Sequence, residues 1–163
     1  MAERMMPTDF RAAMASFAAG VTVVTTLDST DGPQALTATA FSSLSASPPL
    51  CLVCVDKRAR AHPALIASKR FAVNILSATQ RALSARFSNP TGDKFAGVDW
   101  SRGPVTGCPL IPGSLAFVEC ETVEVYEGGD HDIFVGRLLD VKVREGEPLV
   151  YFRGSYAALA ADS

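Results

Sequence analysis

The sequence contains few histidines, the side chain that most often acts as a general acid or base. Its 163 residues include two histidines and one tryptophan, and 15 basic side chains are balanced by 17 acidic ones. This balance excludes the strongly basic surface that is typical of a general nucleic-acid-binding protein. The chain has no Walker A loop and no G-x-G-x-x-G, G-x-S-x-G or H-E-x-x-H motif. We therefore expect any chemistry to come from an imported cofactor.

Long hydrophobic runs are missing as well. The longest uncharged stretch, 32–55, contains Pro33, Pro48, Pro49 and many hydroxyl side chains, which excludes a membrane-spanning helix. The length of the chain and its 48% hydrophobic residues predict a single domain over 1–163, with a core large enough to fold without disulfides or metals. Neither a membrane nor a nucleic acid is expected as a partner.

Four cysteines are present, and Cys51 and Cys54 form a C-x-x-C motif. The motif lies inside the apolar run 50–55, which predicts a buried strand. Residues three apart on a strand point to opposite faces, and no second C-x-x-C or histidine pair completes a zinc site. The sequence predicts buried thiols and no metal site. Because reduced cysteines are typical of the cytoplasm, and no export signal is recognised, we expect a cytoplasmic protein.

The order of the predicted elements favours a mainly β fold. We expect an amphipathic helix near the start of the chain, with Thr8 as its N-cap and Gly20 as its end. Strands are predicted over 21–27, 34–45, 50–55, 71–76, 114–126, 133–143 and 149–152, and short helices over 63–68 and 78–87. The last strand is expected to form a hairpin with the strand before it. About seven strands with short flanking helices favour an antiparallel barrel over an alternating α/β sheet.

Two local signals refine this assignment. Ser77 and Gln80 have the spacing of a capping box at the start of the second short helix. Along 114–126 the hydrophobic alternation changes phase at Val123 and Val125, which predicts a β-bulge or a strong twist there.

Three segments are more polar than packing alone requires. In 37–45, small and hydroxyl side chains leave the backbone open to a flat ligand, although a solvated edge strand has the same composition. Three cations within 57–60 lie between a strand and a helix, a place that favours a phosphate, although charge runs are usually solvated. His131 follows the turn 128–130, where a lone histidine more often has a structural role than a functional one.

Taken in order, these motifs resemble the short-chain NAD(P)H:flavin oxidoreductase family, the flavin reductases that serve two-component monooxygenases. The resemblance spans about Phe10 to Tyr156. It rests on seven ordered matches, namely 10–11 with 17–25, 37–45 with 48–50, 71–76, 86–88, 93–95, 129–131 and 151–156.

The resemblance implies a mainly β fold, an antiparallel FMN-binding split β-barrel that forms a homodimer, with FMN or FAD near the subunit interface. It also implies hydride transfer from NADH or NADPH to the flavin and release of reduced flavin to a partner monooxygenase. Such a transfer needs stacking geometry and exclusion of water rather than a strong protein base. The sparse catalytic inventory of the chain agrees with that requirement.

The resemblance further assigns residues to the site. Contacts to the flavin ring and ribityl chain are implied for Thr37, Thr39, Ala40, Phe41, Ser42 and Ser43. The flavin phosphate or ribityl segment corresponds to Asp56, Lys57, Arg58 and Arg60, and the ring system or adenylate to Phe87 and Ser88. The nicotinamide is implied at the one catalytic candidate, His131, with Arg153 and Tyr156 near the same pocket.

Alternatives remain open at this level. Ala59 and Ala61 stand where many relatives have hydroxyl residues in the phosphate loop, so the motif does not choose between FMN and FAD. A non-catalytic flavin carrier would share the barrel but would leave the 129–131 motif without a nicotinamide to contact. A heme- or pyridoxal-phosphate-binding split barrel would use the same scaffold for another cofactor.

Overall fold

Strands dominate the computed structural model, which describes residues 6–30 and 32–160; Asp31 of the first predicted turn lies outside these ranges. The strands are β1 (Ala19–Gly20), β2 (Thr22–Asp28), β3 (Gly32–Ala38), β4 (Phe41–Ala46), β5 (Pro49–Asp56), β6 (Arg70–Ile75), β7 (Ser101–Arg102), β8 (Pro109–Leu110), β9 (Ala116–Gly128), β10 (His131–Val143), β11 (Val150–Phe152) and β12 (Ser155–Ala157). The helices are α1 (Pro7–Ala15), α2 (His62–Ser68) and α3 (Arg81–Ser88), with a 3-10 turn, Ala78–Gln80, before α3. No helix within the described ranges has the length and apolar character needed to cross a membrane.

Seven antiparallel strands form the main sheet in the order β3-β2-β6-β9-β10-β5-β4. The two edge strands, β3 and β4, are consecutive in the chain, so the sheet opens where they separate. Side chains from one face fill a core cluster that includes Val24, Val53, Phe71 and Phe134, as the two-residue period of a strand dictates. The predicted mainly β, antiparallel architecture with short flanking helices is confirmed.

A second core cluster lies on the other face of β2 and β3. Phe87 of α3 and Phe95 of the following loop contact edge to face there, with ring centroids 5.1 Å apart. Complete burial of a phenylalanine side chain stabilises a fold by roughly 1.5–3 kcal/mol. This cluster therefore holds α3 and the loop firmly against β3.

Gly136 is required by the packing of β10 against its neighbours. It pairs with Cys51 on β5, and a Cβ at this position would overlap the ring of Phe71. The Sγ atoms of Cys51 and Cys120 lie 3.6 Å apart, and both thiols are buried and free, whereas Cys54 is half-buried. The prediction of buried thiols is confirmed for Cys51 but is wrong for Cys54, because residues three apart on a strand point to opposite faces and the second face is only partly covered. The described residues contain no group of three or more His, Cys, Asp or Glu side chains that could hold a metal ion.

Both local signals in the sequence are confirmed. In the capping box, the backbone N–H of Ser77 donates to Gln80 Oε1 at 3.0 Å, and the Ser77 side chain accepts the backbone N–H of Gln80 in return. In the β9–β10 ladder, Val135 pairs with Glu124 but Gly136 pairs with Thr122, so Val123 is the extra residue of a bulge.

The predicted strand 34–45 is wrong as one element. It is broken at Thr39 and Ala40 into β3 and β4, because the Ala40 carbonyl accepts a hydrogen bond from the Cys54 backbone N–H at 2.9 Å. That bond commits the second half of the segment to β5 rather than β2. The break is the point at which the sheet opens.

Two further predictions, one strand pairing and one helix start and end, are wrong. The last predicted strand does not form a hairpin with β10. Backbone bonds from Val21 N–H to Leu149 O and from Leu149 N–H to Leu76 O draw it away, and β11 pairs instead with β1 and β12. Helix α1 begins at Pro7 and ends at Ala15 without a side-chain cap from Thr8, since proline is already set for the first turn of a helix.

Candidate functional site

A continuous groove runs between β3 and α3. Its central cleft, about 440 Å³, is lined by Leu36, Thr37, Asp56, Arg58, Ala59, Arg60, Phe87, Ser88, Pro90 and Lys94. The tyrosine cleft, about 180 Å³, shares Thr37 and Ser88 with the central cleft and is completed by Val21, Thr39, Ser84, Tyr151 and Tyr156. The 92–96 cleft, about 400 Å³, shares Arg60 and Lys94 with the central cleft and is completed by Pro33, Gln34, Ala35, Gly92, Asp93, Phe95 and Ala96. The central cleft and the 92–96 cleft each have a volume typical of small-molecule and cofactor sites, and the tyrosine cleft is smaller.

Ser84 of α3 joins two predicted site residues at the tyrosine cleft. Thr37 Oγ1 donates to the Ser84 carbonyl at 2.7 Å, and the Tyr156 hydroxyl donates to Ser84 Oγ at 2.9 Å. The Arg81 guanidinium lies 4.8 Å from the centroid of the Tyr156 ring, within the range of a cation–π contact. Strand β3, helix α3 and strand β12 are thereby tied together at one buried serine. Sequence reasoning missed Ser84, because no motif marks a residue whose partners are this far away along the chain.

The loop after β5 is shaped by Asp56. Its Oδ1 accepts the backbone N–H of Arg58 at 2.8 Å, and its Oδ2 accepts Arg58 Nη2 at 2.9 Å. These hydrogen bonds hold the pKa of the Asp56 carboxyl well below its usual range and raise the pKa of Arg58. Lys57 Nζ lies 2.8 Å from Glu127 Oε1, and this hydrogen bond raises the pKa of Lys57. Two of the three cations expected at a phosphate therefore already have carboxylate partners.

Arg60 and Lys94 are different, since neither forms an ion pair with a carboxylate within residues 6–30 and 32–160. Arg60 makes a 3.4 Å hydrogen bond to the Gly92 carbonyl. Lys94 Nζ donates to the carbonyls of Ala35 at 3.1 Å and Phe87 at 2.9 Å. Burial, followed by the charge of Arg60, lowers the pKa of Lys94. These two side chains give the groove uncompensated positive charge.

Lys94 was not among the predicted site residues. Its one sequence signal was its place in the 93–95 segment of the family resemblance, to which no role was attached. The carbonyls that orient it belong to β3 and to the end of α3, so its position depends on the tertiary fold.

His131 lies at the rim of the groove rather than in it. Its Nδ1 is 2.8 Å from Asp130 Oδ1, its side chain is 42% exposed, and it pairs in register with Asp56. The bond to His131 lowers the pKa of Asp130. His131 lines none of the three clefts, but it stands directly beside the Asp56–Arg58 loop.

The other histidine fastens this rim to the loop. His62 Nε2 lies 2.7 Å from Asp132 Oδ2, and both side chains are 14% exposed. Lys57 adds a backbone bond of 3.0 Å to the Asp130 carbonyl and a longer approach, 3.6 Å, to Asp132. The start of β10 and the loop 56–62 consequently form one connected unit.

The remaining predicted site residues are spread around the groove. Ala40, Ser42 and Ser43 are exposed at the sheet opening and on edge strand β4, where Phe41 is half-buried against the core. Arg153 occupies the turn between β11 and β12, with its guanidinium 5.1 Å from the ring centroid of its neighbour Phe152. Phe87 underlies the central cleft with a wholly buried side chain, and Ser88 lines that cleft from the end of α3. The fold of the chain thus brings together Thr37, Thr39, Asp56, Arg58, Arg60, Phe87, Ser88 and Tyr156 but not Ala40, the edge strand β4, Lys57, His131 or Arg153.

An antiparallel barrel that opens at one side, with a cofactor-sized groove along an edge strand, defines a split-barrel cofactor-binding protein. The family model described as "Flavin reductase like domain" matches residues 14–160. The chain belongs to the flavin reductase-like family, as the order of its motifs predicted.

Known proteins of this family match nearly the whole chain. The "Flavin-dependent monooxygenase, reductase subunit HsaB" of Rhodococcus jostii is 40% identical, over 99% of this chain and 82% of that protein. The "FMN reductase (NADH) SmoA" of Agrobacterium fabrum is 41% identical, over 90% and 83%. The solved structure of the Streptomyces globisporus NADH:FAD oxidoreductase SgcE6, in complex with NAD and FAD fragments, has a TM-score of 0.91, is 39% identical and covers 99% of each chain. The split-barrel fold is confirmed by this match.

Proposed function

We propose that this protein is an NADH-dependent flavin reductase that reduces FMN or FAD and supplies the reduced flavin to a monooxygenase. The observation that carries the proposal is the groove, whose hydroxyl-lined end leads to two cations without carboxylate partners. A flavin has the matching order of groups, a flat ring with polar edges and then a phosphate. The family's reductases, including one whose name specifies FMN and one whose name specifies FAD, support the same activity.

The residues then have separate roles. Thr37, Thr39 and Tyr156 line the end of the groove suited to the ring, and Arg60 and Lys94 neutralise the phosphate. When bound, a flavin would supply the hydride acceptor and the nicotinamide the hydride, so the residues of the groove would orient the two rings and shield them from water. His131 at the rim is placed to contact the nicotinamide or the charge of the reduced ring.

The proposal includes a homodimer. Helix α1 has no buried residue and exposes Phe10 and Met14, and Phe17, two residues after the helix, has 78% of its surface accessible. A nine-residue helix is not stable without packing of its apolar side chains. A second copy that covers this surface would supply that packing. Arg153 lies next to the end of α1, since its backbone N–H donates to the Ala15 carbonyl, and it would therefore lie in the same interface. Light scattering is expected to show a dimer, and Phe17→Asp a monomer with weakened flavin binding; a monomeric wild-type protein would contradict the shared site.

We also place the protein in the cytoplasm. Cys51 and Cys120 support this, because their sulfurs are neighbours in the core and remain free thiols. Fractionation of the native cells, with detection of the protein in each fraction, checks this placement.

The test of the function is the initial rate of NADH oxidation with FMN, with FAD and without flavin, repeated with NADPH. Saturable oxidation that depends on added flavin is expected, with NADH the better donor. Flavin binding without NADH oxidation would instead indicate a carrier and would leave His131 as a residue of a hairpin turn.

A further inference from the structure

We propose that His62 and Asp132 form a positioning pair, which holds His131 at a fixed place beside the loop after β5. The pair acts through His131, so its role rests on the proposed function, in which His131 contacts the nicotinamide or the reduced flavin. It extends that function to two side chains that line none of the three clefts.

The pair lies behind His131, on the opposite face of β10, because successive residues of a strand point to opposite faces. His131 pairs in register with Asp56 at the rim. Asp132 pairs in register with Val55, whose side chain is wholly buried, so the carboxylate points toward the core. The place of His131 at the rim therefore depends on what holds Asp132 on the core side.

His62 connects Asp132 to the core. Its Nε2 atom lies 2.7 Å from Asp132 Oδ2, and both side chains are 14% exposed. Its ring contacts Phe134 edge to face, with ring centroids 5.6 Å apart, and the Phe134 side chain is wholly buried. Because His62 is held by the core on one side, its contact with Asp132 fixes the start of β10.

The turn before His131 gives the histidine little support. Gly129 has a φ of 80°, in the left-handed region that glycine adopts without strain. The contact between His131 Nδ1 and Asp130 joins two exposed side chains, and such surface pairs contribute little in water. A fixed position for His131 therefore requires an attachment on the core side of the strand.

Stability alone does not account for the pair. Removing a carboxylate and an imidazole from water costs free energy that their attraction only about offsets, so apolar replacements of buried ion pairs are often close to neutral. The pair adds direction, since a hydrogen bond of 2.7 Å restricts both the separation and the orientation of its atoms. The same carboxylate lies 3.6 Å from Lys57 Nζ, so it contacts both ends of the loop 56–62.

The test compares two substitutions of His62. His62→Phe keeps a ring against Phe134 but removes the donor, whereas His62→Gln keeps an N–H group that can reach Asp132. The rate of flavin reduction is measured in a single turnover, with saturating flavin and NADH and without oxygen. We expect this rate to fall about 3- to 10-fold in His62→Phe and to stay within about twofold of wild type in His62→Gln. The Kd for flavin should change less than about twofold in both, because the bonds between Asp56 and Arg58 remain.

Three further variants separate position from stability. Asp132→Leu removes the acceptor at similar volume and should reduce flavin as slowly as His62→Phe. In a His131→Ala background, His62→Phe should cause no further loss, because the pair acts through His131. Glu119→Ala, which breaks another buried carboxylate contact, should lower stability and leave the rate unchanged. The proposal is overturned if His62→Phe and Asp132→Leu reduce flavin at the wild-type rate, if His62→Gln is as slow as His62→Phe, or if the His62 and His131 effects multiply.

A second measurement needs neither flavin nor NADH. The chain has two histidines, so the remaining imidazole Hε1 resonance in the NMR spectrum of a His62 variant belongs to His131. We expect this resonance to match wild type in His62→Gln and to be shifted or broadened in His62→Phe. An unchanged resonance in His62→Phe overturns the positioning role. If the shift is present but the wild-type protein does not oxidise NADH with flavin, the proposed function fails and the attachment of His131 to the core is still supported.

Discussion

The tyrosine cleft offers the sharpest test of how the groove is built. Tyr156→Phe removes the hydroxyl that donates to Ser84 Oγ at 2.9 Å and keeps the aromatic ring, including its contact with Arg81. One such hydrogen bond contributes about 0.5–1.5 kcal/mol. Because Tyr156 is half-buried and water can replace part of the bond, we expect the free energy of unfolding to fall by about 0.5–1 kcal/mol.

The same energy should appear in flavin binding, because the bond holds one wall of the groove. A loss of about 0.5–1 kcal/mol corresponds to about a two- to fivefold weaker flavin affinity. Ser84→Ala breaks the same bond from the other side and leaves the Ser84 carbonyl available to Thr37. The double variant is therefore expected to bind flavin no more weakly than either single variant, which is the signature of two residues that act through one contact.

The assay is flavin titration by fluorescence quenching, together with urea unfolding of the same four proteins. Flavin affinity is the cleaner measure, since replacing serine by alanine within α3 also raises helix propensity and offsets part of the stability loss. Tyr126→Phe, on an exposed tyrosine of β9, is the control and should change neither quantity. If the effects of Tyr156→Phe and Ser84→Ala on affinity multiply, the wall is not held by this bond and the reasoning fails.

Three other changes test separate parts of the molecule. His131→Ala should lower NADH-dependent turnover about 5- to 100-fold without abolishing it, because one polar contact to the nicotinamide or reduced flavin is lost. Glu119→Ala should lower the free energy of unfolding by about 2–4 kcal/mol, since the N–H and hydroxyl of Thr106, each 2.6 Å from the buried Glu119 carboxylate, lose their acceptor. Asp56→Asn should lower the free energy of unfolding at neutral pH, because Arg58 holds the pKa of Asp56 below its usual range and the ionised carboxylate therefore favours the folded state. That contribution is present above about pH 3.9 and is lost as the pH falls below it, so the two proteins should converge in acid.

Each of these outcomes has a matched check. If His131→Ala retains full NADH-dependent turnover, His131 has no role in the reaction. Glu119→Ala should leave the KM for flavin unchanged, because Glu119 lines none of the three clefts of the groove. A raised KM would show that the loop around Thr106, which Glu119 holds, affects the geometry of the groove. For Asp56, stability curves of wild type and variant that stay parallel through acid would exclude the carboxylate as the titrating group.

Local sequence was sufficient wherever a feature depends on residues close together in the chain. The capping box of Ser77 and Gln80 and the bulge at Val123 were predicted from spacing and from a change in alternation, and both are confirmed. The apolar run around Cys51 excluded a metal knuckle for the same reason, since a strand separates its faces at every residue. The order of the motifs along the chain was enough to predict the family.

Local sequence failed where two alternatives look the same until distant strands compete for pairing. The segment 34–45 has the pattern of one strand, yet the Cys54 backbone N–H donates to the Ala40 carbonyl, and this bond divides the segment into β3 and β4. Strand β11 does not pair with β10, because Leu149, just before it, forms backbone bonds with Val21 and Leu76, and β11 then pairs with β1 and β12. Neither bond is visible in the composition of the segment that it redirects.

The chain by itself determined the β-rich architecture, the family and the segments that make up the groove, because these follow from periodicity and from motifs of neighbouring residues. Only the tertiary structure decided which charges in the groove are available. Arg58 finds its carboxylate partner locally, in Asp56, but Lys57 is paired with Glu127 of β9, and Arg60 is placed beside Lys94. The physical reason is that the effective charge of a side chain depends on what lies within a few ångströms of it, and for Lys57 and Arg60 those neighbours come from distant parts of the chain.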